Sequence, residues 1–271
     1  MGKAIIVDGL SVPNPLCTVT FVSGPEEAAL RDYLAANSTI NDTEKDALTA
    51  FVKGLINANL WEKVKYFYPM LGGSVSDMIL DVVNPSTEDI LSNAGNTGLS
   101  VVNRTLVANN RPNNQTSLGY RAKSLDSTKI GFVASGHCDE QIGGSQQFYF
   151  NAGSAKYIGI LLQANSGYCY PAINYGGQVY LNQSYYAVLE RDLFGYVKEG
   201  TASLYLGSTL QTSSPVTAVG APYDTYGILA NTRSSDYYYE FLAITEGMDS
   251  DDWAVFYPLL TTFLTAVGRR Q

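Results

Sequence analysis

Two segments of the chain carry apolar residues at helical spacing, and most of what lies between them alternates over short stretches. In the first, Leu48, Phe51, Val52, Leu55 and Ile56 fall on one stripe, with Asn41, Asp42 and Thr43 as candidate caps and Glu44 and Asp46 in the first turn. Acidic side chains there suit the positive end of a helix, so the pattern predicts a helix over about 41–60. In the second, Trp253, Phe256, Tyr257, Leu260, Phe263, Leu264 and Val267 form a core-facing stripe over about 250–267. Asp249 or Ser250 is the expected cap, Gly268 the stop, and Pro258 an expected kink. Residues 60–69 read as a further helical turn or a buried strand closed by Pro69 and Gly72-Gly73, with Trp61, Tyr66, Phe67 and Tyr68 packing helix against sheet.

From Gly73 onwards the period is that of strands. Short segments at about 98–108, 115–122, 129–134, 146–151, 157–162, 178–181, 185–190, 202–206, 223–230 and 237–244 are each bounded by Gly, Asn, Ser or Pro. Such spacing predicts an antiparallel sandwich or barrel, and the lack of a fixed period disfavours a propeller or solenoid. Residues 1–24 read as an extended N-terminal arm, with apolar runs at 4–7 and 17–22, and residues 25–271 as one sandwich domain with flanking helices.

Composition sharpens this picture. Hydrophobic residues make up 45% and charged residues 15%, which describes an ordered chain with a sizeable core and a polar, weakly charged surface. The 20 Tyr and 25 Gly favour strands and tight turns. A net charge of -8 argues against nucleic acid as a partner, because phosphate binding needs a clustered basic face. No apolar run is long enough for a membrane span, and the N-terminus lacks a secretory core, so neither membrane insertion nor export by a signal peptide is expected. Cys17, Cys138 and Cys169 are too scattered for a disulfide framework or a zinc site.

Candidate chemistry is sparse. His137 is the one histidine, within Ser135-Gly136-His137-Cys138-Asp139-Glu140, where suitable residue types are sequence neighbours on a loop rather than an oriented triad or a spread ligand set. Glu190 and Asp192 could share a strand face as a glycosidase pair, but the intervening Arg191 makes a solvated turn the expected setting. No catalytic residue, metal or cofactor is therefore assigned. Two tyrosine groups could stack on sugar rings: Tyr168, Tyr170 and Tyr175, and Tyr237-Tyr238-Tyr239, where part of the second set must be sheet packing. Tyrosines of this kind also suit protein interfaces.

Several motifs occur in an ordered series: Leu60-Trp61-Glu62-Lys63, Phe67-Tyr68-Pro69 and Gly72-Gly73, then Gly95 to Gly98 and Ser117-Leu118-Gly119-Tyr120-Arg121. The series closes with Gly227 to Asn231, Glu246 to Asp249 and Val267-Gly268-Arg269. In this order the chain, over about 41–271, resembles the jelly-roll modules, of the concanavalin A and laminin G type, that recur in structural proteins of tailed bacteriophage virions. The resemblance implies a concanavalin A-like jelly-roll sandwich with one helix in the N-terminal half and one at the C-terminus. It implies a non-enzymatic virion component, with capsid decoration or head fibre preferred to tail fibre because no repetitive shaft is present. Expected partners are other virion proteins, contacted through an arm that includes Ile5, Ile6 and Val7, and further copies of the chain. A host-surface glycan bound through Tyr168, Tyr170 and Tyr175 is the alternative.

Overall fold

A computed structural model describes residues 24–85, 99–108, 114–121, 126, 128–138, 146–149, 160–165, 168–174, 178–180, 190–216, 226–231 and 237–270. The chain begins with helices α1 (Pro25–Ala36) and α2 (Asp42–Asn57), a 3-10 turn at Trp61–Lys63, strand β1 (Val64–Tyr68) and the short α3 (Val75–Met78). Strands β2 (Leu99–Val102), β3 (Thr105–Ala108), β4 (Asn114–Arg121), β5 (Ile130–Cys138), β6 (Gln146–Tyr149), β7 (Ile160–Asn165), β8 (Tyr168–Asn174) and β9 (Gln178–Tyr180) follow. The chain continues through β10 (Glu190–Lys198), β11 (Thr201–Leu206), β12 (Thr209–Pro215), β13 (Tyr226–Asn231) and β14 (Tyr237–Glu246) to helix α4 (Ser250–Ala266).

Every strand pair is antiparallel. The large sheet runs β12-β11-β10-β5-β14-β3-β2, and β14 pairs with β3 through its first residues and with β1 through its last. Smaller sheets β4-β13-β6 and β7-β8-β9 form a second layer, in which β8 lies beside β10 and β11, and β9 beside β12. Sequence neighbours are thus often not sheet neighbours, as the connections of a jelly-roll-like sandwich require.

The central strands β5, β10 and β14 of the large sheet are buried on both faces, whereas β12 at its margin is largely exposed. Leu193, Ala134 and Leu242 stand in register across one face, and Val133, Phe194 and Phe241 belong to the other. Against that second face pack α2 and α4. Phe51 of α2 sits at the centre, with ring centroids 5.5 Å from Phe67, 5.7 Å from Phe241, 5.6 Å from Phe256 and 5.2 Å from Phe263. Such offset and edge-on contacts add to the area that the rings bury.

Both expected helices form, each with a capping box: Asn41 with Glu44, and Asp249 with Asp252. α4 continues as a helix through Pro258, an exposed position away from the core stripe. α1 is an additional helix that the apolar pattern does not announce. It has no side-chain cap and starts at Pro25, whose fixed φ suits a first helical position. Its last turn is held by Asn37, which donates to the Tyr33 hydroxyl (3.0 Å) and to the Leu71 carbonyl (3.1 Å). Residues 60–69 realise both readings, a 3-10 turn followed by a strand.

Where one strand is expected over 98–108 there is a hairpin. Its turn residues Asn103 and Arg104 both have positive φ (48° and 58°), the primed geometry that matches strand twist. Arginine is an unusual occupant of such a position, but its guanidinium is held by Glu44 and by the Thr39 carbonyl (2.9 Å). Strands β8, β10 and β12 also form where no strand is expected, apart from Glu190 at the start of β10.

Candidate functional site

Asp192 lies inside β10, not in a solvated turn, and it is buried. Residues directly paired across antiparallel strands share a face, so Asp192 stands beside Ser135 of β5 on the side toward the helices. On the next strand, β14, the register shifts between Tyr239 and Phe241, and Glu240 is the extra residue of that bulge. The bulge turns a fully buried carboxylate toward the same spot.

Into this spot comes the chain just beyond α4. The Arg270 guanidinium donates to Glu240 Oε2 (2.5 Å), Asp192 Oδ1 (3.0 Å) and Ser135 Oγ (2.7 Å), while Ser135 Oγ donates to Asp192 Oδ1 (2.6 Å). Burial would lower the Arg270 pKa, but the two carboxylates outweigh it and hold the group above its ordinary value. The adjacent Arg269 is more deeply buried and donates to four backbone carbonyls, those of Pro69, Met70, Arg104 and Glu240. Its pKa is pulled down to about 10 by burial, against the pull of Glu240 and Glu44, which leaves it a cation at neutral pH. The two arginines therefore fasten the end of α4 to β5, β10, β14, the end of β1 and the β2–β3 turn.

As chemistry, this junction is closed. A general acid or nucleophile needs a carboxylate within reach of a substrate, whereas Asp192 and Glu240 are buried and paired with the Arg270 cation and the Ser135 hydroxyl. The junction's exposure is slight: the Arg270 side chain is 12% exposed, that of Asp192 6% and that of Glu240 1%. The sequence singled out Asp192 with a different setting, and it missed Ser135, Glu240, Arg269 and Arg270 as partners. No local signal joins residues 135, 192, 240 and 270.

The other candidates fall as follows. His137 and Cys138 are on β5 rather than a loop, with His137 in register with Glu190 and Tyr238. Asp139 and Glu140 lie outside the described residues, and among the described residues no group of three potential metal ligands occurs. Tyr168 and Tyr170 are two apart on β8, the middle strand of β7-β8-β9, in register with Asn165 and Gln163 and so on one face of it. Tyr175, Ile5, Ile6 and Val7 lie outside the described residues. Tyr239 is fully buried, and its hydroxyl pKa is raised by desolvation, so that position serves packing.

A different set of exposed groups gathers at the opposite end of α4. Lys198 donates to the cap residue Asp249 (2.6 Å), whose carboxyl is held below its usual range first by that hydrogen bond. Beside them the Trp253 indole donates to the Gly207 carbonyl (2.9 Å), half-buried Tyr205 of β11 borders the helix, and half-buried Tyr257 lies on it.

No family model matches this chain, and no curated protein matches it. Solved structures do, at low identity. Domain 4 of the GH43 extracellular arabinanase AbnA from Geobacillus stearothermophilus, solved in complex with arabinotriose, superposes with a TM-score of 0.50 at 12% identity, over 72% of this chain and 98% of that one. A structure concerned with the dependence of botulinum neurotoxin type C cell entry on two ganglioside molecules gives 0.51 at 8%, over 75% and 53%. A Trypanosoma rangeli sialidase mutant displaying trans-sialidase activity gives 0.55 at 11%, over 90% and 38%. This chain thus spans nearly all of the arabinanase domain but about half or less of the other two. The likeness establishes the fold: mainly antiparallel β-sandwich, carrying helices.

Proposed function

We propose that this chain is a non-enzymatic structural component of a tailed-bacteriophage virion, displayed on the capsid surface as an auxiliary, decoration or head-fibre protein. The observation that carries the non-enzymatic part is the neutralisation of Asp192 and Glu240 by Arg270 in a closed, buried junction. The virion part rests on the ordered motifs described above, several of which have structural work in this fold. Val267-Gly268-Arg269 ends the last helix in the buried arginine, and Gly268 adopts the positive φ (76°) of a helix stop. Its partners are other virion proteins and further copies of itself.

Mass spectrometry of purified phage particles tests this reading. The chain is expected among the particle proteins, and its absence from intact particles would overturn the proposal. Incubation with polysaccharides is expected to give no reducing ends, with or without the change Asp192→Asn.

A second reading, a carbohydrate-binding module of a tail fibre or receptor-binding protein, is favoured by two of the fold neighbours, one solved in complex with arabinotriose and the other tied to interaction with two ganglioside molecules. Tyr168, Tyr170 and Tyr175 are its first candidates. A glycan array read with soluble protein is expected to give binding above background under this reading, and a blank array removes it.

A further inference from the structure

The helix layer does not cover the whole face of the large sheet. α4 crosses β10, where Trp253 stacks on Phe194 with ring centroids 4.7 Å apart, but β11 and β12 extend past it toward the sheet margin. Phe194 is in register with Tyr205 of β11, and Tyr205 with Leu210 of β12, so all three lie on the helix side. Phe194 is wholly buried there, Tyr205 is half-buried and Leu210 is 47% exposed. Exposure thus rises outward from the helix, and the margin forms a step whose floor is Tyr205 and Leu210.

The wall of the step is the near side of α4. Positions 250, 254 and 257 recur at helical spacing on that side. Ser250 hydrogen-bonds Tyr205, and the Tyr257 hydroxyl faces Gly207, where an added Cβ would stand 3.2 Å from it. Between them Ala254 is exposed and small, which leaves room above the floor. The aromatic floor is rigid: Tyr205 stacks with Tyr196 (6.3 Å, 25°), Tyr196 with Phe194 (5.2 Å, 23°), and Trp253 contacts Tyr257 (5.2 Å). Exposed Lys198, paired with Asp249, supplies the one charged rim.

We propose that this step is a carbohydrate-binding site for neutral oligosaccharides. It rests on the second reading above and moves the site from β8 to the margin of the large sheet. A sugar ring presents an apolar C–H face and an equator of hydroxyls. The step offers matching surfaces, an aromatic and aliphatic floor held in place by a buried ring stack, with serine and tyrosine hydroxyls and an ion pair at its edge. A few polar groups around an apolar surface are what a small-ligand site needs. A long apolar peptide would find too narrow a floor, with Leu210 as the one large exposed aliphatic side chain on it.

The test is titration calorimetry with arabinotriose, maltotetraose and cellotetraose against the wild-type protein and two variants. Ala254→Arg fills the step from an exposed helical position that tolerates the change, and thermal melting confirms the fold. A Tyr168→Ala/Tyr170→Ala variant probes the alternative site. Binding of at least one sugar, weakened tenfold or more by Ala254→Arg and unchanged by the β8 variant, is expected. Sugar binding that survives Ala254→Arg and is lost in the β8 variant overturns this site and leaves the glycan reading standing. Binding lost in neither variant overturns the site as well. No binding of any of the three sugars, with a blank glycan array, overturns both.

Discussion

At its C-terminal end α4 runs into a cluster of mutually paired polar groups. Arg269 meets four backbone carbonyls, and Arg270 meets two buried carboxylates and a hydroxyl. At its N-terminal end the same helix is fastened by exposed or half-buried partners, Lys198 to Asp249 and Lys63 to Asp252 (2.6 Å), beside a sheet margin it leaves uncovered. The first end gathers the charged groups that could have looked catalytic and commits them to holding the fold. The second pairs its charges nearer the surface and keeps aromatic and hydroxyl surface beside them. The charges at both ends hold the helix in place, and the uncharged tyrosine and serine surface at the second end is where we propose that recognition occurs.

Breaking the closed end is expected to have the largest effect. Arg270→Ala strands Asp192 and Glu240 as buried carboxylates without a cation, a loss of about 3–5 kcal/mol on the usual cost of breaking a buried ion pair. Urea unfolding measures it. Arg269→Lys is expected to be nearly as harmful, because an ammonium cannot reproduce a planar fork spread over four carbonyls. The combination Asp192→Leu, Glu240→Leu and Arg270→Met should recover much of the loss, since an apolar replacement removes the desolvated charges together.

The open end should respond more mildly. Asp249→Ala removes the α4 cap, which accepts from the Asp251 and Asp252 amides, and should cost about 1 kcal/mol in the same assay. Ala254→Arg and Leu210→Thr change exposed positions and should alter stability by no more than about 0.5 kcal/mol, while acting on sugar binding.

Between these in character is Glu44, at the start of α2. Burial alone would raise its carboxyl, but hydrogen bonds from Arg104 and Asn41 and the Arg104 charge hold it below its ordinary value. A carboxyl depressed in the folded state contributes stability fully above its unfolded value, near 4.5, and loses it as the pH falls through the folded one. Glu44→Gln should therefore lower stability at neutral pH and flatten the acid limb below about pH 4.5. Thermal melts across pH 2.5–7, an interval chosen to span roughly the carboxylate range, check this.

The contrast between the ends also explains what could be read from sequence. The N-terminal cap of α4 was legible, because Asp249 and Asp252 act within one turn and acidic residues there have a local meaning. The same holds for Asn41 and Glu44 at α2. The C-terminal junction was not, because its meaning is non-local: Asp192 meets a partner 78 positions away, Ser135 one that is 135 away. Glu190-Arg191-Asp192 reads as a solvated charge run in sequence, and only Arg270, far along the chain, gives Asp192 its buried setting in β10. The β2–β3 hairpin was hidden for a related reason. Asn103 is a familiar turn residue, but Arg104 at positive φ is stabilised by Glu44, 60 positions earlier. The tyrosines of β8 stand out in sequence because they cluster, while Tyr205 and Leu210 gain their interest only from where α4 stops covering the sheet.

Immunogold electron microscopy of purified phage particles, with an antibody against this chain, tests the functional claim most directly. The account predicts gold on the heads, as a surface-displayed capsid protein requires. Gold confined to the tail tip would contradict the capsid assignment in favour of receptor binding, and particles with no label would contradict the virion role altogether.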